Sequence, residues 1–204
     1  MEPHVPTRAE AWELLNRYTT NDGLLRHALS VEAVMRHMAG KMGEDVEMWG
    51  AVGLVHDLDY EQFTDQHCRK SPELLAAAGW PEAYIHAVVS HGWGLCSEVE
   101  PTHIMEKVLY AIDELTGLVK AAALMRPSRS VLDIEPSSVK KKWKDRKFAA
   151  GVNREVIEKG AAMLGADLDG LIADTIAGMR TAAKQIGLEG TTGAGGPGAA
   201  APAS

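Results

Sequence analysis

The sequence lacks the features that define several large classes of protein. It has two cysteines, Cys68 and Cys96, among 204 residues, which is too few for a disulfide framework and fits a reducing compartment. No apolar run approaches the ~18 residues of a membrane span, and the first fifteen residues mix charges without the apolar stretch of a signal peptide. No glycine-rich strand-to-helix turn for a dinucleotide or P-loop is present. These absences predict a cytoplasmic protein with no membrane partner.

Aromatic residues are also scarce, at 5%, but 46% hydrophobic and 24% charged residues are typical of an ordinary globular domain. The formal net charge of −7 argues against a general nucleic-acid binder. The one concentrated basic stretch is Lys140-Lys-Lys-Trp-Lys-Asp-Arg-Lys147. Such a run is usually a solvated helix face; the alternative is a surface that captures a polyphosphate or nucleotide, with Trp143 against a base.

Helical periodicity runs through most of the chain. Thr7 and Glu10 form a capping box for the first helix, and apolar residues then recur at spacings of three and four. No alternating strand pattern of useful length follows. The sequence therefore predicts an all-α fold.

The predicted organisation is one domain with a short appendage. The helical pattern covers residues 1–188, with a core over 24–125 and a C-terminal helical extension over 126–188. Residues 189–204 are almost wholly Gly, Ala, Pro, Ser and Thr, which offer no side chains able to offset the entropy of ordering. We expect this last segment to be a disordered tail.

Histidine and aspartate occur at positions that the helical pattern predicts to be buried. His27 lies on the apolar face of its helix, His56 and Asp57 lie in a predicted apolar helix over residues 45–58, and Asp113 lies inside the most apolar helix of the chain. A lone buried histidine is usually a hydrogen-bonded core residue, whereas aspartate is almost never buried unless it is paired or bound to a cation. A metal ion held inside a helical bundle satisfies all four residues.

The order His27, His56-Asp57, Asp113 resembles the HD superfamily of metal-dependent phosphohydrolases, which is named for its His-Asp pair. The resemblance covers about residues 24–125. Three short sequence motifs resemble those of the small stand-alone bacterial members, which are related to the HDIG type. They are Gly53-Leu-Val-His-Asp-Leu-Asp-Tyr60, Val89-Ser-His91 and Ala111-Ile-Asp-Glu-Leu-Thr-Gly117.

The resemblance implies a single helical HD bundle with a metal site in its interior. His27, His56, Asp57 and Asp113 match the ligands of the principal metal. Members with two metals add histidines, and here His67 and His91 occupy the matching places, with His86 as a competitor to His91. The third position of the HDIG-type motif is Leu58, followed by Asp59, and the Gly-Lys that often follows is absent.

The choice between His86 and His91 follows from helix geometry. A residue five positions on is turned by about 140° around a regular helix, so both side chains cannot easily face one site. Gly92 immediately follows His91, which places His91 at a helix end. We therefore predict His91 as the ligand.

The resemblance implies hydrolysis of a phosphate ester, for example a nucleotide, by a metal-activated hydroxide. Carboxylates and imidazoles together accept Mn, Fe, Zn, Co or Mg, so one or two divalent ions of any of these metals fit the ligand set. Asp57 is expected to contact both ions. Asp59 or Glu61 could act as acid or base, and the alternative for both is a solvated loop charge.

Binding of a small phosphorylated substrate requires positive charge. Arg69 and Lys70 follow His67 closely and are candidates, with an exposed loop as the alternative, and Lys70 is also assigned as the catalytic lysine. Arg126 and Arg129 form a second candidate pair. Cys68 beside His67 has no partner cysteine in the local sequence, which argues against a thiolate metal site.

Two other functions stay open at this point. HD-type proteins with extra histidines include di-iron oxygenases, whose ligand sets overlap with those of the hydrolases. A non-catalytic sensor that binds metal or nucleotide is the second alternative. Nucleic acid is an improbable partner, and the chain could form an oligomer.

Overall fold

The computed structural model describes residues 4–190, and in this range the chain forms nine α-helices. The prediction of an all-α fold is confirmed. The helices are α1 (Arg8–Tyr18), α2 (Asp22–Met42), α3 (Val46–Val55), α4 (Ser71–Ala77), α5 (Glu82–Ser90), α6 (Ile104–Leu124), α7 (Pro136–Trp143), α8 (Arg154–Leu164) and α9 (Leu168–Thr181), with a short 3-10 helix at Thr64–Gln66 before α4. None of the described helices is both long and apolar enough to cross a membrane.

The two longest helices, α2 and α6, form the centre of the bundle. Each has 21 residues, and α3, α6 and α9 pack against α2, while α5, α7, α8 and α9 pack against α6. One core connects these helices because their apolar faces point inward together. Its largest fully buried side chains are Trp49, Leu15, Met35, Leu54, Leu58, Leu75, Met105, Leu109, Ile112, Leu115, Leu118 and Ile134.

Small residues let α8 and α9 approach the central helices closely. A Cβ atom added to Gly160 of α8 would lie 2.6 Å from the Cα of Ala111 in α6, and one added to Gly178 of α9 would lie 2.6 Å from the Cα of Val34 in α2. Real Cβ atoms do not approach backbone this closely, so both contacts require glycine. The first contact holds α8 against the segment of α6 that carries Asp113.

Two helices end at histidines that the sequence singled out. His56 is the C-terminal cap of α3 and His91 that of α5, and both still have helical backbone angles. After His91 the chain turns sharply through Gly94, whose φ of +75° favours glycine. The turn brings Ser97 back to pair with Trp93. Both histidines therefore project from helix ends toward the interior.

The C-terminal part has two features that the sequence did not indicate. The basic helix α7 ends at Trp143, inside the basic run, and the buried Arg154 guanidinium binds backbone carbonyls of the following loop, among them that of Phe148 at 2.7 Å. Glu189, the first residue of the predicted tail, pairs with Ser130. The rest of that tail, 191–204, lies outside the described residues.

Candidate metal centre

Four of the predicted metal ligands come together where α2, α3 and α6 meet. His27 Nε2 lies 2.8 Å from Asp113 Oδ1 and 3.2 Å from His56 Nε2. His56 Nε2 lies 3.4 Å from Asp57 Oδ2 and 3.3 Å from Asp113 Oδ1, and His27 Nε2 lies 3.6 Å from Asp57 Oδ2. Four donor atoms this close to one another surround a space that suits one cation. We call these residues the helix half of the centre.

His67 and His91 approach the other oxygen of Asp57. His67 Nε2 lies 3.6 Å and His91 Nε2 lies 3.5 Å from Asp57 Oδ1, and the two imidazole rings are 5.2 Å apart. Asp57 thus directs one oxygen to each group of histidines. We call His67, His91 and Asp57 Oδ1 the loop half of the centre.

Hydrogen bonds to the backbone orient the two most deeply buried imidazoles. His56 Nδ1 lies 2.8 Å from the carbonyl oxygen of Gly53, and His91 Nδ1 contacts the carbonyl oxygen of Val88. A carbonyl can only accept, so Nδ1 carries the proton in both rings, and in the neutral ring Nε2 keeps a lone pair. These lone pairs point toward the carboxylates, which is the arrangement of a metal-ligating histidine.

The charges of the centre depend on one another. Burial alone would raise the pKa of Asp57 and of Asp113, but the neighbouring imidazoles, His56 first, more than offset it and hold both pKa values well below the usual range. Burial opposes protonation of His56, and yet the charges of the two carboxylates raise its pKa well above normal. The donor set concentrates negative charge that a divalent cation would neutralise, so the residues present fit a metal ion.

Asp59 was expected to be either an acid or base of the site or a solvated loop charge, and it lies in a different environment. It is fully buried, so it is not a solvated loop charge, and it accepts hydrogen bonds from His67 Nδ1 at 2.8 Å and from the Ser71 N–H at 2.9 Å. Burial disfavours its charge, but these hydrogen bonds lower its pKa. Burial also opposes protonation of His67, but the hydrogen bond to Asp59, together with Cys96 and the charge of Asp57, raises its pKa to about 10. Asp59 thus orients His67, and its catalytic role stays a prediction.

Glu61 does not reach the centre either. Its carboxylate accepts the backbone N–H groups of Thr20 and Asn21 at 2.8 and 2.9 Å. Because Asn21 is the N-terminal cap of α2, Glu61 ties the loop after α3 to the start of that helix. Its role is structural.

A cavity of about 430 Å³ opens above the centre. His27, Asp57, His67, His91 and Asp113 line its floor. The walls are apolar or uncharged for the most part, and no described residue that lines the cavity is Lys or Arg. The remaining lining residues are Leu24, Tyr60, Gly92, Leu95, Cys96, Glu114, Gly117 and Val156.

The basic residues predicted to bind substrate lie elsewhere. Lys70 Nζ pairs with Glu73 and lies over the Phe63 ring, and its role as a catalytic lysine stays a prediction. Arg69 lies on the surface beside a second cavity.

Arg126 and Arg129 follow the far end of α6. Arg126 forms an ion pair with Asp133 at 3.0 Å and lies thirteen residues beyond Asp113, about 20 Å along a helix of this length. Arg129 is exposed in the same turn. Neither arginine lines the cavity, and binding of substrate by the pair stays a prediction.

The basic run belongs to the surface of the extension. Lys140 pairs with Asp169 at 2.6 Å, and Lys142 lies over the Phe148 ring. Trp143 packs against the core, so its ring does not form a free stacking surface. These contacts agree with a solvated helix face.

His86 lies apart from the centre, as helix geometry predicted. Its Nδ1 contacts Glu106 at 2.7 Å, whereas His91 lies beside His56 and His67 with ring separations of 5.2 Å. The structure therefore brings together all six predicted metal ligands and leaves His86 outside.

Three features of the site were missed in the sequence: Glu114, the contribution of α8 to the cavity wall, and the contact between the two cysteines. Glu114 lines the cavity and accepts the Asn153 N–H at 3.1 Å, so the start of α8 closes one wall together with Val156. Cys68 does have a partner, because its sulfur lies 2.6 Å from that of Cys96. No local pattern could have shown this pairing, since the two cysteines are 28 positions apart.

Comparison with known proteins identifies the family. The profile of the HD domain matches residues 24–141, more than half of the chain, and the chain therefore belongs to the HD domain family. The membership predicted from His27, His56, Asp57 and Asp113 is confirmed.

Curated relatives with detectable similarity are named Ribonuclease Y. The chain is 28% identical over 149 residues to the protein from Enterococcus faecalis, and 26% identical to those from Desulfotalea psychrophila and Listeria welshimeri. In each case the match covers 69% of this chain and 28% of the relative. The chain thus spans little more than a quarter of the length of these proteins. No solved structure matches it significantly.

Proposed function

We propose that the protein is a metal-dependent phosphohydrolase that acts on a small phosphate ester with an apolar or aromatic group, such as a nucleotide. The observation that carries the proposal is the position of Asp57. Its two oxygens face two separate groups of imidazoles at the floor of one cavity. Such a carboxylate is suited to hold two ions side by side, as in two-metal phosphoryl-transfer sites.

The residues of the chain have distinct roles in this proposal. His27, His56, Asp57 and Asp113 would hold one divalent ion, and His67 and His91 would share Asp57 to hold the second. Bound divalent ions supply Lewis acidity toward a phosphoryl oxygen and lower the pKa of water. Mn, Fe, Zn, Co and Mg all suit this mixture of carboxylate and imidazole.

The composition of the cavity favours a small substrate. Since no described Lys or Arg lines the cavity, the ions themselves must neutralise the phosphate. Leu24, Tyr60, Leu95 and Val156 offer an apolar wall to the rest of the molecule. The name of the curated relatives indicates RNA as their substrate, but this chain is acidic, and the described residues around its cavity do not form the basic groove that tracks a polynucleotide backbone. The cytoplasmic location and any oligomer stay predictions.

The test is a substrate screen with purified protein reconstituted separately with each divalent ion. The panel includes p-nitrophenyl phosphate, its bis-ester, 5′- and 3′-mononucleotides, a cyclic mononucleotide and a short RNA. We expect phosphate release from at least one small ester, at a rate that depends on the ion. Cleavage of the RNA alone would replace this proposal with a ribonuclease.

A control separates hydrolysis from contaminants and from oxygen chemistry. Asp57→Asn must lose the activity, and Asp65→Asn, an exposed carboxylate eight positions on, must keep it. Iron-loaded protein that consumes oxygen and releases no phosphate would favour the oxygenase. Metal binding without turnover of any ester would favour the sensor.

A further inference from the structure

The two cysteines of the chain form a close pair beside the loop half. Cys68 Sγ and Cys96 Sγ are 2.6 Å apart, and both are free thiols. A disulfide bond has a length of about 2.05 Å, so the sulfurs need to move together by only about half an ångström. This geometry suits formation of a covalent bond.

The cysteine pair lies next to two of the predicted metal ligands, His67 and His91. Cys68 directly follows His67, and its sulfur lies 3.9 Å from His91 Nε2. Both sulfurs occupy the space next to Gly92, where any added Cβ atom would collide with them. The thiols therefore bridge the segment that carries His67 and the turn that follows His91.

The two thiols differ in access. Cys68 is 1% exposed, whereas Cys96 is partly exposed and lines the cavity above the centre. Both cysteines border a second cavity of about 580 Å³ together with Arg69 and Ser97, but of the two only Cys96 lines the cavity above the centre. A small oxidant can reach Cys96 first, and Cys68 is placed behind it to complete the reaction. Exposed and resolving cysteines are arranged in this way in redox-sensing pairs.

We propose that Cys68 and Cys96 form a reversible disulfide that controls the loop half of the centre. With a peroxide as oxidant, the Cys96 sulfur attacks a peroxide oxygen, the O–O bond breaks, and a sulfenic acid forms as water leaves. The Cys68 sulfur then attacks that sulfur, the S–O bond breaks, and a second water leaves. Two thiols lose two electrons and two protons, and the peroxide is reduced to two waters. A small dithiol reverses the oxidation by exchange.

The consequence for metal binding rests on the proposed function. In the reduced state two soft sulfur donors stand beside the imidazoles of His67 and His91, and such donors favour thiophilic ions such as Zn²⁺. Oxidation removes both thiols as donors and ties the two segments together. The loop half should then bind Zn²⁺ about 10–100-fold more weakly, the loss that follows removal of supporting groups around a metal, while the helix half is unaffected.

The first experiment uses metal-free protein, so that it tests the disulfide alone. After treatment with hydrogen peroxide and removal of the excess, thiols are counted in denaturant, and the non-reduced protein is digested and analysed by mass spectrometry. We expect both thiols to disappear, a peptide pair joined through Cys68 and Cys96, monomeric chains, and full recovery with dithiothreitol. Cys68→Ser is the matched control, in which Cys96 should stop at the sulfenic acid or form a mixed disulfide.

Two results would overturn the disulfide. One is persistence of both thiols after oxidation, and the other is crosslinking only between chains. Persistence of stable sulfinic acid at Cys96 in the unmodified sequence would contradict the resolving role of Cys68.

The second experiment titrates Zn²⁺ against a chromophoric chelator with the reduced, oxidised and His91→Ala proteins. We expect two ions in the reduced protein and one tightly bound ion in each of the other two. Equal binding by the reduced and oxidised proteins would refute control of the loop half while leaving the phosphohydrolase intact. If the disulfide forms but no state binds any ion, the proposed function fails and the redox pair stands.

Discussion

The two halves of the centre use the same residue types on different supports. In the helix half, His27 and Asp113 lie in the two longest helices, and His56 is completely buried at the end of α3. In the loop half, His67 follows a short 3-10 helix and His91 begins a turn. The first set is fixed by the hydrophobic core, whereas the second depends on local hydrogen bonds and on a pair of thiols.

This difference in support indicates which half of the metal centre can change its geometry. Side chains on packed helices are held by many contacts, so their geometry changes little unless the core changes. Segments with few buried apolar contacts open more readily. We infer that the helix half gives a permanent ion site and that the loop half is the part whose occupancy responds to conditions.

Asp57→Ala should have the largest effect, because this side chain alone serves both halves. We expect loss of both ions and loss of the proposed hydrolysis by more than about 10³-fold. Elemental analysis of the purified variant and a turnover assay measure the two effects. Asp65→Ala in the nearby 3-10 helix is the matched control. Full occupancy of either half in Asp57→Ala would show that the halves are independent.

Asp113→Asn should abolish the helix-half ion while keeping the fold. In the unmodified protein an ion at 100 times its Kd stabilises the native state by about 2.7 kcal/mol. For a domain of this size that corresponds to a rise in melting temperature of roughly 5–10 °C.

We expect most of this rise to disappear in Asp113→Asn, as measured by thermal denaturation with and without added metal. Asp133→Asn, which alters an exposed ion pair with Arg126, should keep it. An unchanged metal-induced shift in Asp113→Asn would mean that the helix half does not hold the stabilising ion.

The helix half could be predicted from the sequence and much of the loop half's surroundings could not. His27 and Asp113 occupy positions whose burial follows from helical periodicity, and the end of α5 follows from Gly92. Burial of Asp59 and the contact of Cys68 with Cys96 depend on how the chain folds back between helices. Such contacts join distant residues through irregular backbone, for which no periodic pattern exists.

The sequence also did not predict that α8 forms part of the cavity wall. It depends on the close approach of Gly160 to Ala111, and a glycine within a helix gives no sign of which helix it will contact. The charge of a basic residue likewise does not give its position. Arg126, a candidate for substrate binding by its charge, follows the end of α6 and lies far from Asp113.

His91→Ala should remove only the loop-half ion. We expect the metal content to fall from two ions to one, and turnover to fall by about 10²-fold or more because the second ion no longer stabilises developing charge. The metal-induced rise in melting temperature from the helix half should persist. His67→Ala should reproduce this result, and loss of both ions in either variant would contradict the separation of the halves.

Asp59→Asn should weaken the loop half without abolishing it. The carboxylate orients His67 and makes its Nε2 a stronger base through the 2.8 Å hydrogen bond to Nδ1, and loss of such a partner costs roughly 10–100-fold in metal affinity. A competition titration should show this loss for one ion and no change for the other. Glu61→Gln, in the same loop but bonded to the start of α2, is the matched control.

His86→Ala should have the smallest effect, because His86 is close to His91 in the sequence but lies outside the metal centre. His86 is 38% exposed and pairs with Glu106, and Glu106 also accepts the backbone N–H groups of Thr102 and His103. Because solvent screens the imidazole and the carboxylate keeps these partners, loss of His86 should cost less than about 1 kcal/mol of stability. Metal content and turnover should match those of the unmodified protein. Comparison with His91→Ala tests the argument from helix rotation directly. If His86→Ala lost an ion and His91→Ala kept both, the roles of the two histidines would be exchanged. That result would require α5 to present its opposite face to Asp57.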